Sequence, residues 1–271
     1  MEHANLPETA DNFYVILSRP QLPDAGLLAG ILMKFLNVTR FEADIAARRC
    51  LGFVASKISK ESAESLEKEC LQNGIGVKVI PGSRVAVLPR AVDCARADFS
   101  RDKFTCSLNE KESITSAWDD LVLAGAARIS EEKTKTVTEK QGPSRMQKTM
   151  SSLIFATTGI PIPTGRTKEV TKTVREETVA VYLELFTGNP LRRIRINPEH
   201  FNFSYLAGRK GYASAVNFNL MVADVDSFAS NALKTRGFTS IIKKEPLSMQ
   251  LYDSFKSFEK ELTWLLTLHD L

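Results

Sequence analysis

"SKISKESAESLEKECLQNGIGVKVIP", residues 56–81, holds a complete helix signal and a complete strand signal in one run. Ser59 stands where a short polar side chain accepts the first free N–H groups of a helix. Ala63, Leu66, Cys70 and Leu71 follow at helical spacing and form one apolar stripe. Asn73 and Gly74 end the helix, because glycine takes the left-handed conformation that closes a last turn. "IGVKVIP" then alternates as a strand.

Toward the N-terminus the same local rules apply. "FVASKI" (53–58) reads as a strand, and Gly52 closes the helix before it. In "NVTRFEADIAARRCL", Thr39 and Glu42 form a capping box, and Ile45, Ala46 and Leu51 supply the apolar spacing. "FYVILSR" (13–19) is β-rich, and Pro20 and Pro23 stop it and open a helix over about 23–36. The order is β-α-α-β-α-β, a two-layer α+β unit with three strands covering three amphipathic helices.

On the strand, the start Ser59-Lys60-Glu61-x-Ala63-Glu64-x-Leu66-Glu67-Lys68 and the Gly74 turn into a Val-rich strand, residues 12–81 resemble the C-terminal domain of the bacterial ribosomal stalk protein. They are similar also to the ClpS-type adaptor. The resemblance implies docking of partner proteins. It departs at 24–37, "DAGLLAGILMKFLN", which is far more apolar than the stalk helix and carries Lys34 alone, so translation-factor recruitment does not carry over. Leu27, Leu28, Ile31, Leu32, Phe35 and Leu36 cover more than one face of this helix. Two readings stand: a helix buried between two domains, or an exposed docking surface with Leu28, Leu32 and Phe35 at its centre.

A chain of 271 residues exceeds one small core, so two domains are expected: 1–82, then a connector over 83–102, then 103–271. The second part reads as β-rich, with strands at "KFTCSL", "ITSAW", "DLVLAGAARIS", "TVAVYLELF", "LRRIRI" and "FNFSYLA". "SAVNFNLMVADVDSFASNALKTRG", ended by Gly237, and "LSMQLYDSFKSFEKELTWLLTLHD" read as closing helices. Antiparallel strands, a Trp118-Asp119-Asp120 element between two of them and a capping helix make this part similar to bacterial pleckstrin-homology-like domains.

Catalytic apparatus is not legible. Asp119 and Asp120 are adjacent, so on a strand they point to opposite faces and do not form an acid–base pair. "GIPIPTGR" (159–166) lacks the glycine spacing and lysine of a phosphate loop. Cys50, Cys70, Cys94 and Cys106 are far apart, and the histidines stand at His3, His200 and His269. Core thiols are expected, with no metal and no cofactor. "MEHANLPETADN" carries acids where an export signal carries cations, and Leu27 to Val38 is shorter than the roughly 20 residues of a membrane span. A cytoplasmic location is expected.

The net charge of +4 is modest, but its distribution is not. Residues 133–175 hold Lys133, Lys135, Lys140, Arg145, Lys148, Arg166, Lys168, Lys172 and Arg175 against Glu139 and Glu169. "EEKTKTVTEK" and "GRTKEVTKTVREE" read as the arms of a long basic hairpin, with Leu153, Ile154 and Phe155 between them. Such a segment solvates a loop, contacts an acidic protein or holds an anionic membrane surface. Nucleic acid is disfavoured, since single strands want several exposed aromatics and Phe155 stands alone here. The expectation is a non-enzymatic protein-interaction or scaffold protein, with binding to an anionic lipid surface through 133–175 as the alternative and an enzyme with no recognisable motif ranked third.

Overall fold

The structure, a computed structural model, describes residues 12–108, 112–141 and 168–271, with 131–141 and 168–178 described by their backbone. The chain is mixed α+β and divides into two compact units, Met1–Ile129 with Ala180–Leu271, and Ser130–Val179.

The first unit opens with β1 (Phe13–Leu17), α1 (Ala25–Leu36), α2 (Arg40–Arg48), β2 (Phe53–Ile58), α3 (Lys60–Gln72) and β3 (Val77–Pro81). The caps act as the sequence dictates. Asp24 accepts the N–H of Leu27 at 2.8 Å, Thr39 and Glu42 exchange both bonds of a capping box, and Ser59 accepts the N–H of Ser62 at 3.2 Å. β1 lies between β2 and β3, antiparallel to each. Helix α1 packs on α2 and α3 and buries Leu28, Ala29, Ile31 and Leu32. Burying one leucine side chain contributes about 1.5–3 kcal/mol, so this face is a stabilising one.

The remainder builds two sheets. β5 (Arg96–Phe99), β6 (Lys103–Ser107) and β7 (Ser113–Ala117) form an antiparallel meander. β8 (Leu121–Gln141), β9 (Lys168–Thr187), β10 (Arg192–Ile196) and β4 (Ala91–Asp93) are neighbours in that order, with β11 (Leu233–Lys234) and β12 (Leu251–Tyr252) both parallel to β8. The helices are α4 (Ser214–Phe228), α5 (Arg236–Ile242), α6 (Leu247–Gln250) and α7 (Phe255–His269).

Strand alternation divides the interior in two. Leu123, Ala127 and Phe186 join the N-terminal core together with Phe258, Leu262 and Trp264 of α7. Ala124, Ala126, Leu183 and Leu185 join a second core with Phe104, Trp118, Ile194 and Phe218.

Three expectations about local structure are corrected. "FNFSYLA" is not a strand: residues 203–209 form 3-10 turns kinked at Ala207, started by the Asn202 side chain accepting the N–H of Ser204 at 2.9 Å. The helix expected to run to Gly237 stops at Phe228, because Leu233 and Lys234 pair with Leu123 and Ala124. The last expected helix is broken where Leu251 and Tyr252 pair with Arg128 and Ile129. The connector carries two short strands, β4 and β5.

Candidate functional site

Of the three docking candidates on α1, two are core residues. Leu28 and Leu32 are each 1% exposed, so neither reaches a partner, and Phe35 is half-buried against the same core. The outer face carries Leu27 and Leu36 instead, with Phe41 on the next helix. Of the two readings of this helix, Leu28 and Leu32 take burial.

The two arms of the expected hairpin are β8 and β9, of 21 and 20 residues and adjacent in the sheet. Lys133, Lys135 and Lys140 lie on β8, and Lys168 and Lys172 on β9. Arg145, Lys148, Phe155 and Arg166 fall outside the described residues.

The Trp118-Asp119-Asp120 element is a 3-10 turn between β7 and β8. Its indole is buried, donates to the Ser100 carbonyl at 2.8 Å and stacks on Phe228 at 5.3 Å, while both carboxylates face solvent. That is a packing role. His200 is exposed in a turn. All four cysteines are free and buried, and no group of metal-holding side chains occurs among the described residues. Burial pushes the Cys70 thiol up to about 11, with Glu69 and Glu67 adding to the effect, which makes it inert. No helix of the described residues is long and apolar enough to cross a membrane.

The sequence reading missed a polar cluster at the seam of α5, β12 and α7. Thr235 caps α5 and exchanges hydrogen bonds with the backbone of Ala126 on β8, so the helix start is fixed to the sheet. Gly237 lies so close to that strand that a β-carbon would stand 2.3 Å from the Ala126 carbonyl oxygen. From there Glu261 accepts the Arg236 N–H at 2.7 Å and the Tyr252 hydroxyl at 2.6 Å. Burial holds the Glu261 carboxyl above the usual carboxylate range despite these donors, and burial likewise pushes the Tyr252 phenol well up. The Arg236 guanidinium lies over the Tyr252 ring at 4.6 Å and donates to the Leu251 carbonyl at 2.9 Å. Its Nε is buried, has no hydrogen-bond acceptor and stands 4.0 Å from Glu261.

With both Glu261 oxygens occupied by donors, the cluster joins α5 to α7 and leaves no free base. Arg236 also lines two clefts. One, of about 300 Å³, is floored by Trp264 and Leu265 and edged by Lys234 and Lys243. The other, of about 420 Å³, is edged by Arg48, Arg49 and Asp253. A signal for this cluster stood in the sequence: Glu261 interrupts the stripe of Phe258, Leu262 and Leu265, and a carboxylate at such a position needs donors.

A second buried cluster joins β9, β10 and α7. Glu184 is fully buried and accepts from Arg193 by both oxygens and from Arg195 at 2.8 Å, while Arg193 also donates to Glu259 at 2.8 Å. Arg195 covers the Phe255 ring at 4.6 Å. Every charge here has a partner, so the cluster is a structural clamp.

No family model, no curated protein and no solved structure matches the chain.

Proposed function

We propose that this chain is a non-enzymatic interaction protein that engages an acidic protein partner through the basic segment 133–175, whose ends form the ribbon of β8 and β9. The observation that carries the reading is the length of the two paired strands, 21 and 20 residues, with Lys133, Lys135, Lys140, Lys168 and Lys172 on them. Strands of globular proteins run about 5–6 residues. A pair that long exceeds what closing a core requires, and the sequence window 133–175, whose two ends lie on these strands, holds nine cations against Glu139 and Glu169, a surplus that favours an anionic contact. The element order of residues 12–81 supports likeness to the stalk and adaptor domains. The antiparallel meander β5–β6–β7, the antiparallel pairing of β9 with β10 and the packing of α4 on their shared core support likeness to a pleckstrin-homology fold. A non-catalytic role is supported by the occupied oxygens of Glu261 and the solvated turn position of Asp119 and Asp120.

The alternative, an anionic lipid surface, has its own observation: Leu153, Ile154 and Phe155 lie in sequence within the basic window 133–175. Each cation near such a surface contributes about 1 kcal/mol. The test is crosslinking capture from a lysate with the full chain and with a variant carrying Lys133, Lys135, Lys168 and Lys172 as glutamine. Protein captured by the native chain and lost by the variant supports the reading. Capture that the variant retains contradicts it, and recovery of lipid alone moves the function to the alternative.

A further inference from the structure

We infer that the 420 Å³ cleft between α2 and the α6–β12–α7 segment binds a small phosphate monoester. Three arginines from two distant segments converge on it: Arg48 and Arg49 at the end of α2, and Arg236 at the start of α5. Asp253 is the one acid in its lining, so the lining holds three cations against one acid, with Glu261 4.0 Å from Arg236 behind it, and the edge favours a phosphate dianion.

The three guanidiniums are differently placed for this task. Arg236 is held by the Tyr252 ring and the Leu251 carbonyl, so its orientation is set before a ligand arrives. Arg48 is exposed and makes no ion pair among the described residues. Arg49 pairs with Asp253 at 3.2 Å, with both side chains about two-thirds exposed. An exposed pair of this kind contributes little, so a dianion replaces the carboxylate at small cost. Lys260 donates to the Arg49 carbonyl at 2.9 Å, which neutralises the negative end of α2 beside the cleft. Ser248 and Ser257 supply hydroxyls, and Ile45, Leu51 and Leu251 give the wall an apolar part for the body of the ligand. The volume is that of a small-molecule site.

The test is a titration of the isotope-labelled full chain with glycerol 3-phosphate, and with a phosphoserine peptide and acetate for comparison, read by amide shifts of residues 48, 49, 248 and 257. Glycerol 3-phosphate is expected to saturate, acetate to shift these amides weakly, and Arg48→Gln to weaken binding about tenfold. Asp253→Asn removes the internal competitor and is expected to tighten binding several-fold, a result that lost folding does not produce. Glutamine at Lys133, Lys135, Lys168 and Lys172 is expected to leave it unchanged, which separates the cleft from the ribbon. The inference is overturned if no saturable shift appears at these residues, if Asp253→Asn does not tighten binding, or if the phosphopeptide alone binds.

Discussion

The indole of Trp264 covers Gly52 so closely that a β-carbon on the glycine would stand 1.9 Å from the ring. Its Nε1 donates to the Leu17 carbonyl at 3.0 Å, so the last helix is fixed to the first strand across almost the whole chain length. Gly52 also has φ +94°, a conformation that L side chains rarely adopt. Gly52→Ala is therefore expected to combine backbone strain with overpacking and to lower stability by about 3 kcal/mol. The urea midpoint measures it, and a loss below about 1 kcal/mol would show that Trp264 moves freely.

Because the interior of residues 12–81 is shared with α7, residues 1–82 expressed alone are expected to expose apolar surface and to bind a hydrophobic dye or self-associate. A dye-silent monomer with a cooperative melt would contradict this.

The two faces of α1 are expected to answer differently to truncation. Leu32→Ala removes a buried side chain and is expected to lower stability by about 2–5 kcal/mol. Leu27→Ala, on the outer face, is expected to change it by less than about 0.5 kcal/mol. Equal losses in denaturant melts would refute the assignment of the faces.

Glu184→Ala is expected to cost about 3–5 kcal/mol, since it leaves Arg193 buried with Glu259 as its remaining acid and takes the partner of Arg195 away. Replacing Glu184, Arg193 and Arg195 together by apolar residues is expected to recover much of that loss. The comparison of the two melting temperatures is the measurement.

Glu261 gives a pH dependence of definite sign. Its native carboxyl lies above the ordinary range through burial, so the native state holds its proton more tightly than the unfolded chain does. Stability from this group is therefore greatest below the ordinary carboxylate value, about 4.3, and falls as pH rises through the raised native value. Glu261→Gln is expected to remove that fall. The melting temperature of the native chain minus that of the variant should fall as pH rises, and a constant difference would mean that the carboxyl does not titrate in the fold.

What the sequence disclosed followed the range of the forces involved. Thr39, Glu42 and Ser59 cap helices through bonds to residues three positions away, so α2 and α3 were readable to within a residue or two. The pairs Leu233–Lys234 and Leu251–Tyr252 are strands because β8 accepts them, from more than a hundred positions away. No periodicity announces such a pair, and the two closing helices were read straight through them. Gly237 illustrates the same limit: it was taken as a helix end, whereas it is a point of close approach to Ala126 inside α5. The Arg236 cluster and its clefts were hidden likewise, since Arg48 and Arg236 are neighbours across one cleft and 188 positions apart in sequence.

The central claim, an acidic protein partner held by the ribbon, is tested most directly by the affinity of the full chain for polyglutamate as salt rises from about 0.05 M to about 0.5 M. Glutamine at Lys133, Lys135, Lys168 and Lys172 supplies the comparison. Steep weakening with salt in the native chain, and weak, nearly salt-independent binding in a variant of unchanged stability, is the result predicted. Equal affinity of the two proteins, or binding of the native chain that salt leaves untouched, would contradict it.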